Sequence, residues 1–164
     1  MRWFLAVLML PTIAFATPTP DTAIKGKLAD ADWQYVAQKI SAGDQIWIDT
    51  VPALASKANR AQAEQLEDAL ATALPINTKG VLSTLKILDA GSYPEMNGTN
   101  IVCVLKLAAP GKPPEGYYND TRLALLDEPN GAQCLWNLEG IWEEVKQEDE
   151  QSTSDVAPSR MHSQ

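Results

Sequence analysis

Apolar residues recur with the period of an α-helix along most of the chain. Trp33, Val36, Ala37 and Ile40, for example, stand at positions i, i+3, i+4 and i+7, which is the spacing of one helix face. The same pattern, interrupted by Pro, Gly and capping side chains, predicts further helices over Asp44–Leu54, Asn59–Leu74, Thr78–Asp89, Glu115–Leu126 and Ala132–Lys146. We therefore predict an all-α fold, a compact bundle of about five to six short helices joined by short turns.

Two parts of this pattern are less regular. Pro52 removes a backbone donor, so it should kink or shorten the helix predicted over Asp44–Leu54. Asn100–Leu107 is an apolar run without a helical period, and periodicity alone assigns it neither to a strand nor to a helix. We favour a short buried strand or extended segment there, with a helix as the alternative.

The two ends of the chain differ from the helical part. Arg2, the apolar stretch Trp3–Leu10 and the small-x-small motif Ala14-Phe15-Ala16 are typical of a cleavable signal peptide over residues 1–16. We predict a flexible N-terminal lead over residues 17–29, a single helical domain over 30–146 and a disordered acidic tail over 147–164. The protein should then be periplasmic or secreted, without membrane insertion, because no later apolar run approaches the roughly 20 residues of a membrane span.

Charge narrows the classes of partner. Without residues 1–16, the chain has 12 Lys and Arg against 21 Asp and Glu, a formal net charge of −9. Nucleic acid and anionic lipid headgroups would be repelled, whereas a protein partner with a basic rim would be attracted. The alternative is that the charge only keeps an exported protein soluble.

The chain contains two cysteines, Cys103 and Cys134. In an oxidising compartment they are expected to pair, and closing a loop of this length would stabilise the fold by about 4 kcal/mol on the chain-entropy model. Their wide spacing lacks the CxxC pattern of thiol exchange, so the predicted disulfide has a structural role.

Catalytic chemistry finds little support in the sequence. The one histidine, His162, lies in the predicted tail, which argues against Ser-His-Asp and Cys-His catalysis and against the usual zinc sites. Carboxylates such as Asp44, Asp49 and Glu64 could be nominated for glycoside hydrolysis, but helix capping and solvated helix faces explain them more simply. We predict a protein that is not an enzyme and that uses no cofactor and no metal.

Recognition is a better candidate. The loop Gly91–Gly98 combines Tyr93, Glu95, Met96 and Asn97 between regular elements, and loops of this kind often carry binding residues. A solvated connector is the alternative interpretation.

Tryptophan provides a second candidate for the partner-binding surface. Trp33, Trp47 and Trp142 follow the apolar faces of their helices, which indicates core packing. Trp136 lies off the stripe of its own helix, and an exposed Trp at that position would act as an anchor for a partner.

The order of these features resembles a known family. The shared features are the cleavable leader, the two separated cysteines, the helix start Asp44-Gln45-Ile46-Trp47, the Leu66–Leu74 helix, and Pro75-Ile76-Asn77 before Val81-Leu82. Between Trp33 and Trp142 the chain is thus similar to small helical periplasmic immunity proteins against cell-wall amidases delivered by type VI secretion. The resemblance implies an all-helical protein, often a homodimer, that pushes a loop into the active-site cleft of an amidase.

Our working hypothesis is therefore an immunity-type protein that binds and occludes a toxic amidase through Tyr93, Glu95 and Met96. A non-catalytic periplasmic adaptor or chaperone-like module is the leading alternative. A carboxylate-dependent hydrolase of cell-wall glycan is the third.

Overall fold

The prediction of an all-α fold is confirmed. The computed structural model describes residues 17–108 and 115–155, and that part of the chain forms helices and turns without any strand. The helices are α1 (Pro20–Lys25), α2 (Asp30–Ser41), α3 (Gln45–Ile48), α4 (Val51–Ala55), α5 (Arg60–Ala73), α6 (Thr78–Ala90), α7 (Thr99–Val102), α8 (Glu115–Leu126) and α9 (Ala132–Asp155). The predicted signal peptide and residues 109–114, between α7 and α8, lie outside the described residues.

Helix α5 lies at the centre of the packing. It contacts α2 most extensively and also packs against α4, α6 and α7. Leu66 and Leu70 are fully buried, and four of its alanines are buried around them: Ala63, Ala69, Ala71 and Ala73. Small side chains let neighbouring helices approach α5 on several sides. Each buried leucine stabilises the folded state by about 1.5–3 kcal/mol, because its apolar surface is removed from water.

Polar side chains define where the central helices begin. The Asn59 side chain accepts a hydrogen bond from the Gln62 backbone N–H, and the Asn59 N–H donates to Gln62 Oε1, which makes a capping box for α5. Asn77 caps α6 through the Gly80 N–H, and its Nδ2 donates to the Gly43 carbonyl at 2.9 Å. Asn77 therefore both caps α6 and ties it to the turn after α2.

The segment Asp44–Leu54 forms two short helices, α3 and α4, instead of one kinked helix. Asp44 caps α3 as predicted, accepting from the Ile46 N–H at 3.1 Å. Pro52 lies in the first turn of α4, where a backbone N–H has no partner within the helix and its absence costs nothing. The proline thus starts a new helix at this point in the chain.

The expectation of a flexible lead over residues 17–29 is wrong for its middle part. Residues Pro20–Lys25 form α1, capped by Thr19, and Ala23 is fully buried against the core. Lys57 holds this helix in place, because its Nζ donates to the carbonyls of Ala23, Ile24 and Gly26 at 2.7–2.8 Å. The composition of this segment indicates a loop, but its contacts with Lys57, more than thirty positions away, hold it as a helix.

The preference for an extended segment over Asn100–Leu107 is also wrong. The segment contains α7 followed by helical turns, and Val102, Cys103, Val104 and Leu107 are buried there. Because α5, α6 and α9 surround it, apolar residues occupy more than one side of a short helical segment. The period that would identify a half-buried helix is therefore absent.

Helix α9 begins at Ala132, as predicted, but continues to Asp155, beyond the predicted end at Lys146. Glu and Gln have high helix propensity, and extending an existing helix requires no new nucleation. Lys146 adds an ion pair with Glu143 at 2.7 Å. Disorder from residue 147 is therefore wrong as far as Asp155, and residues 156–164 lie outside the described part of the chain.

None of the described helices has the length and apolar composition needed to cross a membrane. Trp33, Trp47 and Trp142 are buried, as predicted. The Trp142 ring stacks on Tyr118 with ring centroids 4.3 Å apart, so it joins α8 to α9.

The predicted disulfide is present. Cys103, at the end of α7, is bonded to Cys134 in the first turn of α9, with Cα atoms 5.4 Å apart. Both cysteines are buried, and the bond connects the α8–α9 pair to the segment that follows the loop 91–98.

Replacing both cysteines by serine should lower the free energy of unfolding by up to about 4 kcal/mol, because the unfolded chain regains loop entropy. Urea unfolding of the wild type and of Cys103→Ser/Cys134→Ser measures the difference. Reducing agent should shift the wild-type midpoint towards that of the variant and leave the variant unchanged. Equal midpoints for the oxidised wild type and the variant would contradict this role.

Tyr117 provides a pH-dependent test of the contact between α8 and α5. Its hydroxyl donates to the Ala71 carbonyl at 2.7 Å. Burial raises its pKa to about 12, with a smaller opposing effect of Thr121 and a smaller supporting effect of the Asp68 charge. A raised tyrosine pKa favours the neutral folded form, so this stabilisation is complete below pH 10 and is lost as the pH rises towards 12. The loss should reach about 2 kcal/mol.

At pH 8 we expect Tyr117→Phe to be about 1 kcal/mol less stable than the wild type, because one hydrogen bond is removed. Above about pH 11 the order should reverse, since the variant has no phenol to ionise at this position. Urea unfolding of both proteins from pH 8 to 12 measures this crossing. A difference that does not change with pH would contradict the buried position of the phenol.

Candidate functional site

The loop 91–98, which joins α6 to α7, contains a well-defined turn. The Met96 N–H donates to the Tyr93 carbonyl at 3.0 Å, closing a turn with Pro94 and Glu95 at its corner. Proline restricts the backbone at the first corner position, which favours such turns. Pro94 and Glu95 are exposed, so the corner presents a carboxylate to solvent.

A buried carboxylate anchors the end of this turn. Glu67 of α5 is only 2% exposed, and its Oε1 accepts a hydrogen bond from the Asn97 backbone N–H. The Asn97 side-chain Nδ2 lies 3.4 Å from the other oxygen, Oε2. Hydrogen bonds to a charged partner are stronger than neutral ones, so the core helix α5 determines the position of the loop.

A second carboxylate holds the last residues of the loop. Asp89, near the end of α6, accepts from the Thr99 N–H at 3.1 Å and from the Thr99 hydroxyl at 2.6 Å. Between the two anchors Gly98 has φ +61, and a Cβ at this position would lie 2.0 Å from an Asp89 oxygen. Only glycine fits this position without displacing Asp89, and the loop therefore has a fixed shape.

The predicted binding residues of the loop divide into two groups. Glu95 and Asn97 are exposed, although Asn97 bonds to Glu67. Tyr93 and Met96 are half-buried and pack against the hydrophobic core, so they support the turn more than they project from it. Within the loop, the turn corner is therefore the part best placed to enter a cleft.

Trp136 is exposed, as its position off the apolar stripe indicates. Its exposed fraction is 76%, the largest among the exposed large apolar residues of the described chain. It borders an open groove of about 340 Å³ between α9 and the α7 segment. The groove is lined by Trp136, Asn100, Val104, Asn137, Gly140, Ile141 and Glu144.

Gly140 explains why this groove is open. It lies between Trp136 and Glu144 on one stripe of α9, and a Cβ added there would meet no other atom within 4 Å. Glycine inside a helix costs about 1 kcal/mol relative to alanine, and no packing contact requires it at this position. Sequence reasoning missed Gly140, although a glycine inside a strong helical pattern is a signal that could have identified it.

The surface around the groove is rich in acidic side chains. Glu144 lies at its edge, and α9 as a whole contains seven Asp and Glu residues against one lysine, Lys146, which is paired with Glu143. The apolar part of the groove thus adjoins an acidic helix.

The loop and the groove belong to one continuous part of the chain. Thr99 is bonded to Asp89 at the start of α7, and Asn100 and Val104 line the groove. The disulfide at Cys103 attaches this segment to α9. Among the described residues, no group of three or more His, Cys, Asp or Glu is arranged to hold a metal ion, and His162 lies outside them.

Comparison of the chain with models of known protein families, with curated proteins and with solved structures returns no match.

Replacing Glu67 by alanine should release the loop. Asn97 loses the acceptor for its N–H, and we expect a loss of about 1.5–3 kcal/mol in unfolding free energy together with faster amide hydrogen exchange at Asn97. Glu67→Gln keeps one acceptor oxygen and should have a smaller effect.

Glu64→Ala is the matched control, because Glu64 lies on the same helix in an exposed ion pair with Arg60. It should change the stability by less than about 0.5 kcal/mol and leave exchange at Asn97 unaltered. Unchanged exchange at Asn97 in Glu67→Ala would show that the loop is held by other contacts.

Proposed function

We propose that the protein is an exported, immunity-type inhibitor that binds a secreted cell-wall amidase and occludes its active site. The observation that carries this proposal is the turn 93–96, whose corner presents Pro94 and Glu95 outward, while Asn97 and Thr99 directly after it are bonded to helices of the core. A fixed projecting turn suits insertion into a cleft, because little conformational entropy is lost when the complex forms.

The chemistry of the corner suits an amidase cleft. Enzymes that cleave amide bonds hold hydrogen-bond donors where negative charge develops in the transition state. The Glu95 carboxylate is an acceptor for such donors, and Pro94 beside it limits the conformations of the corner. Inhibition then needs no chemical step, since the side chain occupies the place of the reacting group.

Two further features support this proposal. The disulfide Cys103–Cys134 is compatible with an oxidising compartment, where a signal peptide over residues 1–16 would deliver the chain. The negative net charge would accelerate association with an enzyme whose active-site rim is basic.

The test uses the oxidised chain from residue 17 onward and a panel of purified type VI cell-wall amidases acting on peptidoglycan. We expect inhibition of at least one amidase at equal molar amounts, and a loss of affinity of about tenfold or more in Glu95→Lys, because a hot-spot contact becomes repulsive. Tyr93→Ala combined with Glu95→Ala should weaken the complex as well, since it also removes the support of the turn.

Asp127→Lys is the matched control. Asp127 is exposed directly after α8 and is not part of the loop 91–98, and its replacement changes the net charge by the same amount. Its effect should stay within about threefold, as for a change in long-range steering alone. Inhibition that survives both loop variants would refute the role of the turn, whereas binding to an envelope protein without inhibition of any amidase would favour the adaptor alternative.

A further inference from the structure

We propose that the groove beside Trp136 binds a cationic amphipathic segment of the protein partner, with an apolar side chain lying over Gly140 and Lys or Arg side chains facing α9. This inference deepens the proposed function and rests on it, because it names the chemistry of the partner surface that lies next to the inserted turn. The groove is a second contact area, separate from the corner at Glu95.

The apolar half of the groove is suited to an anchoring side chain. Val104 is nearly buried and Ile141 half-buried, so they form an apolar floor under the exposed Trp136 ring. The volume of about 340 Å³ is at the lower end of the range for ligand pockets and is large enough to receive a side chain of a partner. Exposed tryptophan next to such a pocket is the residue most typical of binding hot spots.

Gly140 is a second, independent observation that points to an occupant. A helix that contacts nothing at this position would be more stable with alanine, yet the residue present has no side chain. Its effect on the surface is to lower the rim between Trp136 and Glu144. The stability lost in α9 is understandable if this space receives a group from a partner.

Charge selects the kind of occupant. Glu144 borders the groove, and Glu148 follows one turn later on the exposed part of α9. Acidic peptides, anionic lipids and nucleic acid would bring like charges together at this edge. A second copy of this chain would bring α9 near its own symmetry mate in a two-fold interface, which is unfavourable for the same reason. A basic segment with an apolar residue matches both halves of the groove.

The experiment uses three labelled synthetic peptides and the oxidised chain from residue 17 onward. The first peptide combines lysines with leucines at helical spacing, the second replaces its lysines by glutamates, and the third replaces its leucines by serines. We expect the first to bind, with an affinity that falls as salt is raised, and the other two to bind at least about tenfold more weakly.

Variants locate the binding in the groove. Gly140→Gln fills the groove from a position where a side chain meets no neighbour, and Trp136→Ala removes the anchor. Each should weaken binding of the lysine-leucine peptide by about tenfold or more, and Glu144→Gln should reduce the dependence on salt. Leu126→Ala is the control, because Leu126 is an exposed apolar residue of α8 outside the groove, and it should leave binding unchanged.

Three outcomes would overturn the inference. They are equal binding of the glutamate peptide, binding unaffected by Gly140→Gln and Trp136→Ala, and a concentration-dependent dimer in sedimentation that Gly140→Gln abolishes. The same variants in the amidase assay separate this inference from the proposed function. Full inhibition by Gly140→Gln would refute the groove and leave the function standing, while peptide binding without any amidase inhibition would refute the function and leave the groove.

Discussion

Helix α5 packs against neighbouring helices on several sides, and the rest of the structure depends on how these helices approach it. Alanines alternate with the buried leucines Leu66 and Leu70, so helices can approach α5 on several sides. Tyr117 of α8 also reaches it, through a hydrogen bond to the Ala71 carbonyl. Glu67 is a charged residue on the buried side of this helix, and its burial is compatible with stability because Asn97 supplies hydrogen bonds to both of its oxygens.

The same helix therefore serves the core and the candidate site. The free energy of burying the apolar part of α5 holds the Glu67 carboxylate in one place, and that carboxylate holds the loop 91–98. Asp89 of α6 likewise holds the end of the loop, through its hydrogen bonds with Thr99. The loop owes its shape to the anchors at Asn97 and Thr99 and to Pro94 at its corner, and these contacts make a connector without regular structure a fixed feature of the surface.

Much of the fold could be predicted because the features that start, end and orient its helices lie within a few residues of each other in the sequence. The period of Trp33, Val36 and Ile40 and the caps Asp44 and Asn77 are local, and the structure has each of them. The exposure of Trp136 also follows from local periodicity. Segments such as Pro20–Lys25 and Asn100–Leu107 were assigned wrongly because distant partners, Lys57 for the first and the surrounding helices for the second, determine their structure.

The sequence by itself determined the helical class, the ends of most helices and the pair of cysteines able to form a disulfide, since these depend on the period and type of neighbouring residues. The tertiary structure decided which residues face outward at the candidate site. It placed Tyr93 and Met96 partly in the core, left Glu95 at the corner, and brought Val104 beside Gly140 and Ile141 to form a groove. The physical reason is that the burial of a side chain depends on which helices and loops meet in space. That arrangement is set by the free energy of the whole chain, which cannot be read from any single segment.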